Sequence, residues 1–199
     1  MTTSALLRFP RAIHRPPEPS SDFDLNQGTA LPPNRNLRSA AVLIGMKPSE
    51  DGFDVLLTRR SAKLRHHPGQ ISFPGGKQDK TDLDPVSTAL REATEEVALK
   101  QTQVSVLGCF PPHETVTQFQ VTPVLGLIEG DFQPEVDTRE VAEAFWVPWS
   151  HFADPKRFVV QSRRWAGQDR KYYAIPFGPY YIWGATARML YALSRAAAE

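Results

Sequence analysis

Between Ile71 and Val97 the chain commits to a strand, a glycine turn and a carboxylate-bearing helix in direct succession. Ile71-Ser72-Phe73-Pro74-Gly75-Gly76 reads as a short apolar strand entering a glycine turn, and Lys77–Leu83 reads as a polar loop. Asp84 then precedes Pro85, an N-cap followed by the residue best suited to the first helical position. In the helix that follows, Glu92, Glu95 and Glu96 stand at i, i+3 and i+4. At about 100° per residue they share roughly a third of the circumference. Val86, Leu90, Ala93 and Val97 cluster on nearly the opposite side, which makes the helix amphipathic with a carboxylate face. Packing like charges in this way costs about a few tenths of a kcal/mol per pair, a cost usually accepted where a cation is to be held. Oxygen ligands without His or Cys point to a hard divalent ion, Mg²⁺ or Mn²⁺. Such a string standing alone is more often a solvated surface helix. The strand and glycine loop ahead of it supply the layout of a site for a metal-bound phosphate.

These residues resemble the Nudix hydrolases, whose box is Gly, five residues, Glu, seven residues, then Arg-Glu-apolar-x-Glu-Glu-x-Gly-apolar. Gly76 and Arg91-Glu92-Ala93-x-Glu95-Glu96 match it. Asp82 stands where Glu is usual, the stretch from Gly76 to Arg91 is one residue longer, and Ala98 replaces the closing glycine. The segment Leu56 to Gly76, with Leu56-Leu57-Thr58, Arg60-Ser61, Arg65, Gly69 and Phe73-Pro74-Gly75-Gly76, is similar to the extended signature of the coenzyme A pyrophosphatases within that family. Weaker resemblance extends through Thr117–Gly126 and Trp183–Ala187.

The resemblance implies an α/β fold, a Nudix-type α/β/α sandwich with a mixed central sheet. It also implies metal-dependent cleavage of the pyrophosphate of coenzyme A or its thioesters, giving 3′-phosphoadenosine 5′-phosphate and a 4′-phosphopantetheine. Glu92 and Glu96 would be the firmest metal ligands, Glu95 a ligand or the base, and a carbonyl near Gly76 would complete the coordination of Mg²⁺ or Mn²⁺. Gly75 would let the backbone approach. Arg91 is expected to point away from the ligands and to orient a glutamate. The water's proton would pass to the box or to a later loop, with Glu140 the foremost outside acceptor and Glu143 and Glu114 alternatives. Arg59, Arg60 and Arg65 are the expected phosphate contacts, since arginine suits bidentate binding. His66 and His67 fit hydrogen bonding better than a hard-ion site. Gln118 stands where the family usually has glycine.

Composition narrows the rest. A chain of 199 residues suits one ordinary domain with an extension. We divide it into a proline-rich, flexible arm over residues 1–36 and a hydrolase domain over 37–199. A net charge of +1 leaves no footprint for nucleic acid. The single Cys109 excludes an internal disulfide and is expected to be buried. No apolar run approaches a membrane span of about 20 residues. The start of the chain carries Arg8, Arg11 and Arg15 but no signal-peptide core. Its early prolines oppose a presequence helix, so a cytoplasmic location is expected. The partner is a small-molecule substrate, with no nucleic acid and no membrane. The arm could also serve as a segment exchanged in a homodimer, or as a proline-rich ligand for another protein.

Elsewhere the patterning predicts strands at Ser39–Gly45, Phe53–Thr58, Val104–Phe110, Phe119–Ile128 and Val141–Val147. Pro123 suggests an edge position or a bulge. A late hairpin is predicted from Arg157–Val160 and Lys171–Ile175. The last element is a helix over Ile182–Ala197 with an apolar stripe of Ala185, Met189, Ala192 and Leu193. Two other readings remain open from sequence: hydrolysis of ADP-ribose or other nucleoside diphosphate derivatives, and a ligand sensor of the same fold without turnover.

Overall fold

Strand β2 (Arg38–Ser49) organises the molecule, because both of its edges are shared out among other strands. The computed structural model describes residues 17–26, 35–50, 52–165 and 167–198. Along one edge β2 runs parallel to β8 (Phe119–Ile128) from Arg38↔Phe119 to Met46↔Leu127. The other edge is divided. Its first part pairs with β5 (Gly75–Lys77) at Ala40–Val42, and its last part pairs with β3 (Gly52–Arg60) at Met46–Ser49. Between these two pairings Leu43 N–H donates to the Pro74 carbonyl at 2.8 Å, which holds the turn leading into β5 against the centre of the sheet. β3 continues outward to β9 (Val141–Pro148) and to the short β4 (Ile71–Ser72).

The result is a mixed sheet with β6 (Val104–Cys109) and β7 (His113–Glu114) on the far edge of β8. Side chains alternate between its two faces, as the pleat requires. Ala40, Ile44 and Met46 of β2 enter one core with Phe53, Val55 and Leu57 of β3. Ala41, Leu43 and Leu56 enter the other, beneath helix α1 (Pro85–Val97), with its Ala89, Ala93 and Val97. Helix α3 (Gly184–Ala198) and the one-turn α2 (Trp149–Phe152) cover the first face, so the chain forms a three-layered α/β/α sandwich. Among the described residues no helix is long and apolar enough to cross a membrane.

Several expectations need correction. Pro123 lies in a central strand, not on an edge. It pairs with Val42, and its missing donor coincides with the change of neighbour from β7 at Val121 to β6 at Val124, where Phe110 N–H donates to its carbonyl at 2.8 Å. Cys109 is exposed, because β6 is an outer strand with one face in solvent. The hairpin strands are β10 (Val159–Trp165), which starts later and runs further than the apolar pattern shows, and β11 (Gln168–Ala174), which starts earlier and ends one residue sooner. Ala185 is only partly buried, and Ala187 and Leu190 carry the stripe with Met189 and Leu193. Residues 1–16 and 27–34 of the arm lie outside the described residues. Within 17–26, β1 (Ser20–Ser21) runs parallel to β7, and His113 is hydrogen-bonded to both Ser20 (2.9 Å) and Asp22 (3.1 Å).

Helix α1 starts as expected. Asp84 accepts from Ser87 N–H at 2.7 Å, and Ser87 Oγ accepts from Asp84 N–H at 3.0 Å. It ends at Ala98, which adopts the left-handed conformation with φ 57°. Gln118 closes the turn after β7 with φ 64°. Both positions impose a backbone that a side chain resists. Ala98→Gly and Gln118→Gly are therefore each expected to stabilise the protein by about 0.5–1 kcal/mol, read as a rise of roughly 1–4 °C in the calorimetric Tm. A fall in Tm for either would contradict a left-handed backbone at that residue.

Candidate active site

The glycine turn and the carboxylate helix meet with almost no room between them. A Cβ placed on Gly76 would lie 2.5 Å from Glu92 Oε1, and one on Gly75 would lie 2.4 Å from the Ala41 carbonyl oxygen. Only glycine lets β5 sit against both β2 and α1. Gly75 N–H donates to Glu96 Oε2 at 3.3 Å. That contact requires Glu96 to turn inward, and the residue is 2% exposed, in line with Ala89, Ala93 and Val97 of the same helix. The three carboxylates therefore do not share one solvated face. Glu96 is buried, Glu92 is half-buried, and Glu95 has 56% of its side chain exposed.

Burial has a direct electrostatic consequence. The Glu96 carboxyl is pushed up to about 8, chiefly by desolvation, with Glu92 adding to the rise and Arg60, 3.9 Å away, opposing it. Glu92 is also raised, again by burial first, with Arg91 pulling the other way. Glu140 adds to both shifts, so its charge is felt by both carboxylates. Ser61 N–H donates to the Glu140 carbonyl at 2.8 Å, which ties the loop before β9 to the end of β3.

Arg91 does not point away from the carboxylates. Its Nε and Nη2 make a bidentate pair with Asp82 at 3.0 and 2.9 Å, and Nη1 donates to Glu92 and Glu95, each at 3.0 Å. Nη2 also donates to the Lys77 carbonyl at 3.1 Å, just past the glycine turn. The orienting role expected of Arg91 is thus visible as contacts to two glutamates at once. Asp82, which stands where the box has glutamate, anchors that arginine and is held down at about 2 mainly by it. Asp82 further accepts from Asp79 N–H at 2.8 Å and Thr88 Oγ1 at 3.1 Å. Together with the Asp82 N–H to Asp79 carbonyl bond of 3.1 Å, this closes a tight turn that takes up the longer loop. No local sequence signal marks this nine-residue Asp82–Arg91 pairing.

Among the described residues no three acidic, imidazole or thiol side chains converge as a ready-made cation site. The donor set nevertheless suits a hard divalent ion. Glu96 is a buried carboxylate whose nearest cation is 3.9 Å away, and such a charge is costly to bury without compensation. Of the expected phosphate contacts, Arg60 is brought to Glu96. Arg59 leaves on the other side of the β3 irregularity to pair with Glu143 at 3.1 Å, and Arg65 lies exposed in the loop before β4. Glu143 also accepts from Tyr180 Oη at 2.5 Å, and Glu114 pairs with Arg35. Both carboxylates are thus committed elsewhere, and Glu140 is the one of the three whose charge reaches Glu92 and Glu96.

Known proteins match this chain over most of its length. A family model described as NUDIX domain covers residues 36–167. A Pectobacterium atrosepticum protein called Nudix hydrolase NudL, itself uncharacterized, is 42% identical over 177 residues, covering 86% of this chain and 89% of that one. Its namesake in Enterobacter sp. strain 638 is 40% identical over 155 residues, covering 78% and 80%. Among solved structures, the M. smegmatis Nudix hydrolase RenU is 26% identical, with a TM-score of 0.49 over 57% of this chain and 72% of that one. So loose a superposition adds nothing to the sequence matches.

Two outcomes follow from the site's electrostatics. Glu96 binds its proton more tightly folded, at about 8, than at its ordinary 4.5. Its contribution is therefore complete below the lower value and is lost as pH rises towards the upper one. Chelator-treated protein should lose thermal stability across that window, and Glu96→Gln should flatten the slope. An equally steep loss in the variant would rule Glu96 out as the source. Separately, Asp82→Ala leaves Arg91 and Thr88 without their common acceptor. It is expected to cost about 1–3 kcal/mol in denaturant unfolding, and an unchanged midpoint would refute the anchoring role.

Proposed function

Because the chain belongs to the Nudix hydrolase family, we propose that it is a divalent-metal-dependent pyrophosphatase acting on coenzyme A or its thioesters in the cytoplasm. One observation carries the reading. The glycine turn that ends the Leu56–Gly76 pattern lies against Glu92 and Glu96, while Arg60 of the same pattern reaches the buried Glu96. The stretch that resembles a coenzyme A signature and the carboxylates that would hold the metal thus adjoin in one site.

Nudix hydrolases generally use divalent ions such as Mg²⁺ or Mn²⁺, and Glu92, Glu95 and Glu96, with a backbone carbonyl near Gly76, would hold one here. A bound ion would neutralise the pyrophosphate oxygens and lower the pKa of the attacking water. The chain's own residues do the positioning, which carries most of phosphoryl transfer. Asp82 fixes Arg91, and Arg91 fixes Glu92 and Glu95 from one guanidinium. Gly75 N–H and Arg60 hold Glu96 in its inward orientation. Arg60, with Arg65 on the following loop, supplies positive charge for the substrate's phosphates, and Arg59 would add to it once released from its pair with Glu143. Glu140 takes the proton of the attacking water as its oxygen joins phosphorus, with Glu95 the alternative acceptor on the box itself. The bridging P–O bond breaks, and 3′-phosphoadenosine 5′-phosphate and a 4′-phosphopantetheine leave.

The test is direct. Purified protein with Mg²⁺ or Mn²⁺ is given coenzyme A, 3′-dephospho-coenzyme A, ADP-ribose or NADH, and the products are resolved by chromatography. Coenzyme A is expected to be cleaved fastest, only with metal, and Glu96→Gln to lose about 10²-fold or more in kcat/KM. Preferential cleavage of ADP-ribose or NADH would overturn the substrate. Folded, metal-bound protein that cleaves none of them would instead be a ligand sensor.

A further inference from the structure

Outside the carboxylate site, a cavity of about 530 Å³ opens beside the loop between β3 and β4. Its walls come from separate parts of the chain: Leu25 of the N-terminal segment, Pro68 and Gln70 of the loop, Arg163 and Tyr172 of the β10–β11 hairpin, and Trp183 ahead of α3. The volume is that of a small-molecule site. The N-terminal wall is pinned in place. The Asn26 side chain donates to the Lys171 carbonyl at 2.9 Å and accepts from the Lys171 N–H at 2.8 Å, while Asp24 receives Arg188 at 2.8 Å.

The chemistry of the wall is specific. Tyr172 and Trp183 meet edge to face with ring centroids 5.1 Å apart. Arg163 lies directly opposite Arg170 in the ladder, and by strand alternation both share a face with Tyr172. Arg163, Arg170 and Lys171 all line the cavity, so this cationic side favours an anion beside the aromatic pair. Aromatic rings suit a planar base, and a guanidinium suits a phosphate monoester held by two donors. An acyl or pantetheine tail would suit the apolar lining but would bring no anion to this cationic side.

The cavity is also close to the carboxylates. Arg60 N–H donates to the Gln70 carbonyl at 2.9 Å and the Arg60 carbonyl accepts from Gly69 N–H at 3.1 Å, while the Arg60 guanidinium stands 3.9 Å from Glu96. Arg60 therefore links the cavity's lip, through its backbone, to the buried carboxylate, through its side chain. The chain from Gln70 to Gly75 can span at most about 18 Å.

Resting on the coenzyme A reading above, we infer that this cavity receives the phosphorylated nucleoside end of the substrate, its base against Tyr172 and Trp183 and its 3′-phosphate on Arg163. The site then selects for the 3′-phosphate through a hairpin that carries none of the reacting groups.

Calorimetric titration of the full chain with 3′-phosphoadenosine 5′-phosphate tests this without turnover, with adenosine 5′-phosphate and 4′-phosphopantetheine as comparators. The bisphosphate is expected to bind the unaltered chain and Glu96→Gln alike, and to bind Arg163→Glu about tenfold more weakly, the loss of roughly one charged hydrogen bond. Arg163→Gln serves as the milder variant, with near-UV circular dichroism confirming that both are folded. Adenosine 5′-phosphate should bind about tenfold more weakly than the bisphosphate and be indifferent to Arg163. Bisphosphate binding that survives Arg163→Glu but is lost in Glu96→Gln would overturn the inference, as would Arg163-dependent binding of 4′-phosphopantetheine instead. Cleavage of coenzyme A without bisphosphate binding would sink the cavity assignment alone. Arg163-dependent binding without cleavage would uphold the cavity and sink the proposed reaction.

Discussion

Glu96 cannot be buried unless the backbone of Gly75 and Gly76 comes close enough to meet it, and much of the surrounding structure follows from that approach. The Gly75 N–H is the carboxylate's backbone partner, and a methyl group on either glycine would collide with Glu92 or with the carbonyl of Ala41. Strand β5 must therefore lie flush on β2, which is why β2 divides that edge between β5 and β3. Helix α1 must pack Ala89 and Ala93 beneath it, because larger side chains there would lift the helix away. The carboxylate and the core share one helix face, and the small alanines make that possible.

Two arginines manage the charge, Arg60 beside Glu96 and Arg91 beside Glu92 and Glu95. Glu92 and Glu95 would repel each other and the buried Glu96 without compensation. Arg91 joins both to Asp82 through one planar group, a geometry lysine could not reproduce. Asp82 in turn closes the preceding loop through Asp79 and Thr88. The loop, the arginine and the helix carboxylates are thus coupled, so a change at Asp82 should be felt at Glu92 even though the two side chains do not touch.

Much of this was legible in the sequence, for reasons that differ by residue. Asp84 and Pro85 announce the start of α1 because capping is local chemistry, and the apolar runs locate the main strands of the sheet because burial on both faces leaves a near-continuous apolar stretch. Glu96 was recognised as a ligand type, but its burial was not, since a periodic wheel assigns carboxylates to water by default. The rule for proline in strands points Pro123 to an edge or a bulge because it concerns only the missing donor. In β8 that donor falls where two partner strands exchange, a fact of topology rather than of sequence. Arg59 and Arg60 looked equivalent as neighbours, yet the irregularity at the end of β3 sends one to Glu143 and the other to Glu96. The hairpin cavity does not show in the sequence as one site, because its wall is assembled from segments scattered between Ser21 and Arg188.

The departures from the family box have the same logic. A shorter carboxylate at position 82 still reaches Arg91 because the longer loop turns back through Asp79 and brings the backbone nearer. Ala98 still ends the helix because the left-handed turn is imposed by Leu99, which is buried at 1% and whose N–H reaches back to the Ala93 carbonyl at 3.3 Å. Tertiary packing pays locally for what glycine would supply freely. In both places the contact made is retained while the residue that makes it has changed. The motif is therefore better defined by the groups it brings to Glu92, Glu95 and Glu96 than by the letters at its ends.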